Sequence, residues 1–181
     1  MYIAMVNHRE IIMKLFMFYV GGNAGKSNIE VHDVQFAAVD KPEEAWPLLR
    51  DAWFGDKDKI HVDGYADVNW VDGFDISLSK ESSGSEYKLY FINVGGYTLS
   101  TLAELHEFDL FVAKTAQEAK QKAISQLLVG SQQQHKDNLK DVDDCLLLQK
   151  VGEYYIHLTK NENGKKPSPL WQGYLPIGTN S

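Results

Sequence analysis

Two nearly continuous apolar runs, Leu15–Val20 and Leu89–Val94, stand out along the chain, and a Gly-Gly pair follows each. Runs of that length without alternation predict interior strands covered on both faces. Further on, the pattern turns to alternation: Val34, Phe36 and Ala38 in one place, Phe108, Leu110 and Val112 in the other. A period of two puts each trio on one buried face of a second strand. Helical spacing then takes over. Ala45, Leu49, Ala52 and Trp53 form one stripe, and Ala119, Ala123, Ile124 and Leu127 form another. Pro42 with Glu43 and Glu44 suits a first turn, Thr115-Ala-Gln-Glu118 has the form of a capping box, and Gly55 and Gly130 are stop signals. Pro47 would cost about 3 kcal/mol inside a helix, so the first helix is expected to kink there or to start later. After the helix, Ile60–Asn69 and Phe74–Leu78 predict a hairpin with Asp72-Gly73 near its turn.

The two sets of elements are copies of one unit. Lys14-Leu-Phe-Met-Phe-Tyr-Val-Gly-Gly22 reappears as Lys88-Leu-Tyr-Phe-Ile-Asn-Val-Gly-Gly96. The same shift of 74 residues (88 − 14) matches Glu30 with Glu104, His32 with His106, Glu44 with Glu118 and Ala45 with Ala119. Later the shift grows to 80 (142 − 62), pairing Val62/Val142, Asp63/Asp143, Ile76/Ile156 and Leu78/Leu158. The growth falls largely in polar Ser131-Gln-Gln-Gln134, where a surface loop tolerates insertion. The expected fold is α+β: two tandem ββαββ repeats, mostly antiparallel sheet, with one helix per repeat on one face. The first repeat spans residues 13–80 and the second 88–160, joined near Lys80-Glu-Ser-Ser-Gly-Ser85 by a linker at 81–87. Residues 1–12 read as an N-terminal extension, because Met13 looks like a native start. Residues 161–181 read as a tail that packs back on the body through Leu170, Trp171, Tyr174, Leu175 and Ile177, since an exposed cluster of that kind is an aggregation hazard.

Composition narrows the function classes. Among 181 residues, 18 Lys and Arg stand against 25 Asp and Glu, a net charge of −7 that disfavours a nucleic-acid partner. The 44% hydrophobic content excludes a disordered polyelectrolyte. No apolar run approaches the ~18 residues of a transmembrane helix, so no membrane partner is expected. Ile11–Val20 after Arg9 loosely imitates a signal peptide, but Lys14 interrupts it and its near-copy recurs mid-chain, so it reads as a strand. Cys145, the one cysteine, cannot form an intramolecular disulfide, and a cytoplasmic location is the simpler expectation.

The strand motif Lys14–Gly22, the segment Asn28-Ile-Glu-Val-His-Asp-Val-Gln-Phe36, Val71-Asp-Gly-Phe74 and the tail Trp171-Gln-Gly-Tyr-Leu-Pro-Ile177 resemble the bacterial domain-of-unknown-function 1543 family (DUF1543). The resemblance covers nearly all of the chain after Met13. It implies no activity, cofactor or catalytic residue, and no functional residue is carried over from it.

Candidate chemistry is sparse. Gly25-Lys26-Ser27 resembles a P-loop, but Val20 stands where the first glycine is needed and a strand pattern follows instead of a helix. His32-Asp33 and His106-Glu107 are adjacent pairs, which a strand points to opposite faces. The same-face pairs are Glu30/His32 and Glu104/His106, with the parity that turns Val34 inward. A carboxylate beside an imidazole favours its charged form. His61-Val-Asp63 has the same spacing, but its counterpart is Asp141-Val-Asp143, so His61 falls outside any two-fold symmetric site and a surface strand is expected for it. Trp70, beside the Asp72-Gly73 turn, is the tryptophan expected to be exposed, and Asp67, Asp72 and Asp75 make that hairpin acidic, suited to a basic partner or a cation. Cys145 is expected to be a buried apolar thiol.

No nucleophile–base set is apparent. The favoured expectation is therefore a non-enzymatic small-molecule or protein-binding module using Glu30, His32, Glu104, His106 and Trp70, with no catalytic residue, no metal and no cofactor assigned. The competing expectation is a metal-dependent or acid–base enzyme that uses the paired Glu-x-His motifs at the interface of the two repeats. The outward strand faces also leave room for a homodimer contact.

Overall fold

The computed structural model describes residues 12–98, 100–129 and 140–179. In chain order the first repeat comprises β1 (Lys14–Gly22), β2 (Val31–Val39), a 3-10 turn (Pro42–Ala45), α1 (Trp46–Ala52), β3 (His61–Asp67), β4 (Trp70–Val71) and β5 (Phe74–Ser79). The second comprises β6 (Lys88–Gly96), β7 (Leu105–Ala113), α2 (Ala116–Gln126), β8 (Lys140–Leu148), β9 (Lys150–Val151) and β10 (Tyr154–Lys160), and β11 (Trp171–Pro176) follows. Among the described residues every strand pairing is antiparallel, and with the two helices found there the class is α+β. The expected extension at 1–12 falls almost wholly outside the described residues, as do the Gly130 stop and the Ser131–Gln134 insertion.

The chain divides into two compact units, residues 1–67 with 169–181 and residues 68–168. Residues 81–87 lie inside the second unit. In the first, the strand order is β11-β3-β1-β2, with α1 on one face. Phe16, Phe18 and Val20 of β1 meet Ala37 and Val39 of β2, Ala45, Leu49 and Trp53 from the helical segment, and Ile60, Val62 and Ile177. Trp171 and Tyr65 stack at the margin of this core, ring centroids 6.0 Å apart. Ile177 is tied in by its N–H donating to the Ile60 carbonyl at 3.1 Å and by its own carbonyl, which accepts from Arg50 at 2.7 Å.

The second unit holds the sheet β7-β6-β8, whose core of Tyr90, Ile92, Val94, Phe111 and Ala113 packs on Ala119, Ala123 and Leu127 of the α2 segment. It also holds a four-stranded sheet, β4-β5-β10-β9, in which the closing hairpins of the two repeats pair with each other. The hairpin expected between Ile60–Asn69 and Phe74–Leu78 does not form. β3 instead pairs with β1 and β11, and only Trp70–Val71 folds back on Phe74–Asp75. Asp72 and Gly73 do make that turn, with φ of 50° and 87°, the left-handed pair that a two-residue hairpin loop demands.

Two further expectations change. The buried face of β2 is Gln35, Ala37 and Val39, not Val34, Phe36 and Ala38; in β7 Leu110 and Val112 are buried as expected, but it is Phe111 and Ala113 that pack with α2. Both strands carry apolar residues on both faces, so side-chain character alone does not single out the face toward the helix. Ala52 and Ile124 of the expected helical stripes are exposed. Pro47 causes no kink because α1 starts one residue before it, at Trp46, after the 3-10 turn. Thr115 caps α2: its hydroxyl accepts the Glu118 N–H at 3.2 Å, while the Glu118 carboxylate accepts the Lys114 N–H at 3.0 Å. Glu44 and the Asp40 N–H repeat that second contact at 3.3 Å in the first copy.

Candidate functional site

Gly21 on the central strand β1 lies opposite His32 on β2 and opposite His61 on β3. Residues directly across a sheet share a face, so the three form one row, on the side away from α1. Glu30, two residues before His32, approaches the row from the start of β2. The β1–β3 register shifts between Tyr19 and Val20, leaving Asp63 as the extra residue of a bulge. A bulge re-aims a side chain, and here Asp63 joins the two imidazoles.

The four side chains meet through their polar tips. His61 Nε2 lies 3.1 Å from Glu30 Oε1 and 3.2 Å from Asp63 Oδ1. His32 Nε2 lies 3.2 Å from the other Asp63 oxygen, Oδ2, and 3.6 Å from Glu30 Oε2. Each carboxylate thus spans both rings. His61 is 2% exposed, whereas the side chains of His32 and Glu30 are 33% and 48% exposed, so the cluster is dry at one end and open to solvent at the other. Neither nitrogen of His61 has a hydrogen-bond partner among the described residues, nor does Asp63 Oδ2. Gly21 provides the floor: a Cβ there would stand 2.7 Å from His61 Nε2 and 2.9 Å from both Asp63 Oδ2 and His32 Cδ2.

Two tyrosines flank the cluster. Tyr19 stacks on His32 with centroids 5.0 Å apart and planes within 4° of parallel. Tyr174, set out by the bulge in β11 between Gln172 and Leu175, lies 4.3 Å from the His61 ring. Burial, and then the Asp63 and Glu30 carboxylates, push the Tyr19 phenol up from its ordinary value, so it stays protonated at neutral pH.

The other candidates behave differently. His106 lies 3.6 Å from Glu104, repeating the His32–Glu30 spacing within the second unit. There β8 places Asp141 opposite Gly95, at the position that His61 holds opposite Gly21, and the bulge recurs between Asn93 and Val94. Trp70 is half-buried rather than presented: its Nε1 donates to the Asn161 carbonyl at 2.8 Å, and Gly164 packs on its ring. The acidic hairpin is already engaged. Asp67 pairs with Lys14 at 3.0 Å, Asp72 with Lys122 at 3.3 Å and with the Val112 N–H at 3.0 Å, and Asp75 accepts from Asn161 at 2.9 Å. Gly25-Lys26-Ser27 forms a turn, with the Ser27 N–H donating to the Ala24 carbonyl, and no helix follows it. No helix among the described residues is long and apolar enough to cross a membrane.

Sequence reasoning noted His61-Val-Asp63 but left both residues out of the cluster, expecting a surface strand. The available signal was the spacing: His61-x-Asp63 repeats the Glu30-x-His32 step on a strand that neighbours the same Gly pair.

No curated protein matches the chain. Among solved structures, a protein Il1583 from Idiomarina loihiensis is similar, with 34% identity, a TM-score of 0.72, and coverage of 92% of this chain and 99% of that one. The family described as Domain of Unknown Function (DUF1543) matches at residues 27–78 and again at 101–158, one match in each repeat, and the chain belongs to that family as a tandem duplication of its unit.

Proposed function

We propose that the chain is a binding module rather than an enzyme, and that its ligand site is the cluster of Glu30, His32, His61 and Asp63 in the first repeat. The observation that carries this reading is His61. Its buried Nδ1 has no partner, and its Nε2 lies 3.1 and 3.2 Å from two carboxylate oxygens without hydrogen-bond alignment; a buried polar atom left so costs of the order of 1–3 kcal/mol unless something else satisfies it. The solvent-facing side chains of Glu30 and His32 give a ligand its way in, and the bare floor at Gly21 gives it room. With two carboxylates aimed at one point, the ligand is a cation or carries one. The reading of a paired, two-fold symmetric enzyme site loses support from Asp141, which replaces His61 in the second copy and leaves that copy with a different donor set.

A thermal-shift screen of cations and cationic metabolites against wild type, His32→Ala and His61→Ala tests this. Stabilisation of wild type by at least one ligand, absent in both variants, is the expected outcome. Ligand shifts that persist in both variants would move the site elsewhere.

A further inference from the structure

The geometry points to a specific ligand for this site: one divalent transition-metal ion, of the zinc, cobalt or nickel kind, held by His32 Nε2, His61 Nε2 and one oxygen of Glu30, with the Asp63 carboxylate beside it. This rests on the binding-module reading above and names its ligand.

The distances favour a metal over an ion-pair network. Charge-assisted N–H···O bonds close to about 2.7–2.9 Å. The N···O separations here are 3.1 and 3.6 Å to Glu30 and 3.2 and 3.2 Å to Asp63, each imidazole meeting a different oxygen of each carboxylate. A tetrahedral ion bound at about 2.0–2.2 Å holds its donors about 3.3–3.6 Å apart, which is close to this spacing. The donor atoms of Glu30, His32 and His61 lie within 4.8 Å of one another.

Hydrogen-bond accounting points the same way. Were His61 an imidazolium, its Nδ1–H would be a buried donor without a partner, and its Nε2–H would lie near two carboxylate oxygens without aligning on either. As a neutral ligand it offers the Nε2 lone pair and leaves one N–H rather than two. Two neutral imidazoles, two carboxylates and one divalent ion sum to zero charge, which suits a site whose inner end is 2% exposed. Imidazole nitrogen selects the ion: calcium and magnesium prefer all-oxygen shells, while zinc, cobalt and nickel accept mixed nitrogen and oxygen donors. Three protein donors leave a fourth tetrahedral position, which the Asp63 carboxylate borders, 3.2 Å from each imidazole. The second repeat, with Asp141 in the row position of His61, does not repeat this set, so one ion per chain is expected.

The test uses the full-length chain, purified without an affinity tag and stripped with chelator. Titration with cobalt(II) is expected to give visible absorption of tetrahedral intensity that saturates at one equivalent and is displaced by zinc(II). His61→Gln and His32→Gln should each weaken binding by at least about tenfold, and His106→Gln should leave stoichiometry and affinity unchanged. His32→Gln alters a partly exposed side chain, so it remains informative if His61→Gln fails to fold, and circular dichroism checks both. Binding of calcium or magnesium as tightly as zinc would overturn the transition-metal assignment while keeping a cation site. An organic ligand that stabilises wild type in a His32-dependent way, with no metal binding, would overturn the metal and keep the binding module. Two ions per chain, one lost in His106→Gln, would overturn the one-sided site. No ligand of either kind would defeat both readings.

Discussion

Gly21 is where a single missing methyl group matters most. A Cβ there would crowd His61, Asp63 and His32 together at distances below 3.0 Å, with the rings held by their strands. Gly21→Ala is expected to displace the donors, lowering cobalt(II) affinity at least about tenfold and costing about 1–3 kcal/mol of stability, read from titration and thermal melts. An alanine variant that binds as wild type would remove the glycine floor from the site. Cys145 makes a second case. Burial pushes its thiol up, nearby Lys120 opposes and Asp144 adds, so the thiolate fraction at neutral pH is small. Iodoacetamide should alkylate Cys145 more slowly than free cysteine at pH 7.5; faster reaction would contradict this environment. At this scale the sequence showed that Glu30 and His32 share a face, because a period of two needs no tertiary information. It did not show His61 or Asp63. Symmetry between the copies was taken as a condition for a site, and the bulge that brings Asp63 into place depends on pairing between distant strands.

The tail strand β11 shows how an element can be held by its ends. Leu170 and Tyr174 remain 62% and 68% exposed, so wholesale burial of apolar groups does not hold it. The strand is fixed by pairing with β3, by Trp171 against Tyr65 and by Ile177 in the core. Ile177→Ala should therefore cost about 2–5 kcal/mol, and deletion of residues 168–181 should lower the melting temperature by several degrees. A melting temperature unchanged by the deletion would mean that β11 adds nothing to the sheet. Strands and helices were legible as elements, since the apolar runs, the Thr115 cap and the Pro42 turn are local signals. Their partners were less so. β3 was expected to pair with the strand that follows it, yet it pairs with β1, about 40 residues earlier in the chain, and with β11 about 110 later. The face of β2 was assigned from the larger side chains, whereas α1 packs on the face carrying Ala37.

For the whole molecule the duplication was the most legible feature, because it is written in residues rather than in contacts. How the copies join was not. The sequence leaves open whether the repeats either side of residues 81–87 share a sheet, and β5 and β10 pair over six residues. Protease cleavage within 81–87 should consequently leave the two fragments co-eluting in native size-exclusion chromatography and separating only in denaturant. Separation without denaturant would show that this sheet does not hold the halves. The register of the pairing has a further meaning. Ser77 faces His157, with Ile76 opposite Leu158 and Leu78 opposite Ile156, so equivalent residues of the two copies meet about a central pair. That self-complementary contact is the one two identical single-repeat chains would make in an isologous homodimer. Fusing them replaces assembly at cellular concentration with an effective concentration on the order of millimolar. Once joined, the halves no longer need to stay alike: one row keeps His61 opposite its glycine and the other carries Asp141, a division of labour closed to a dimer of identical chains.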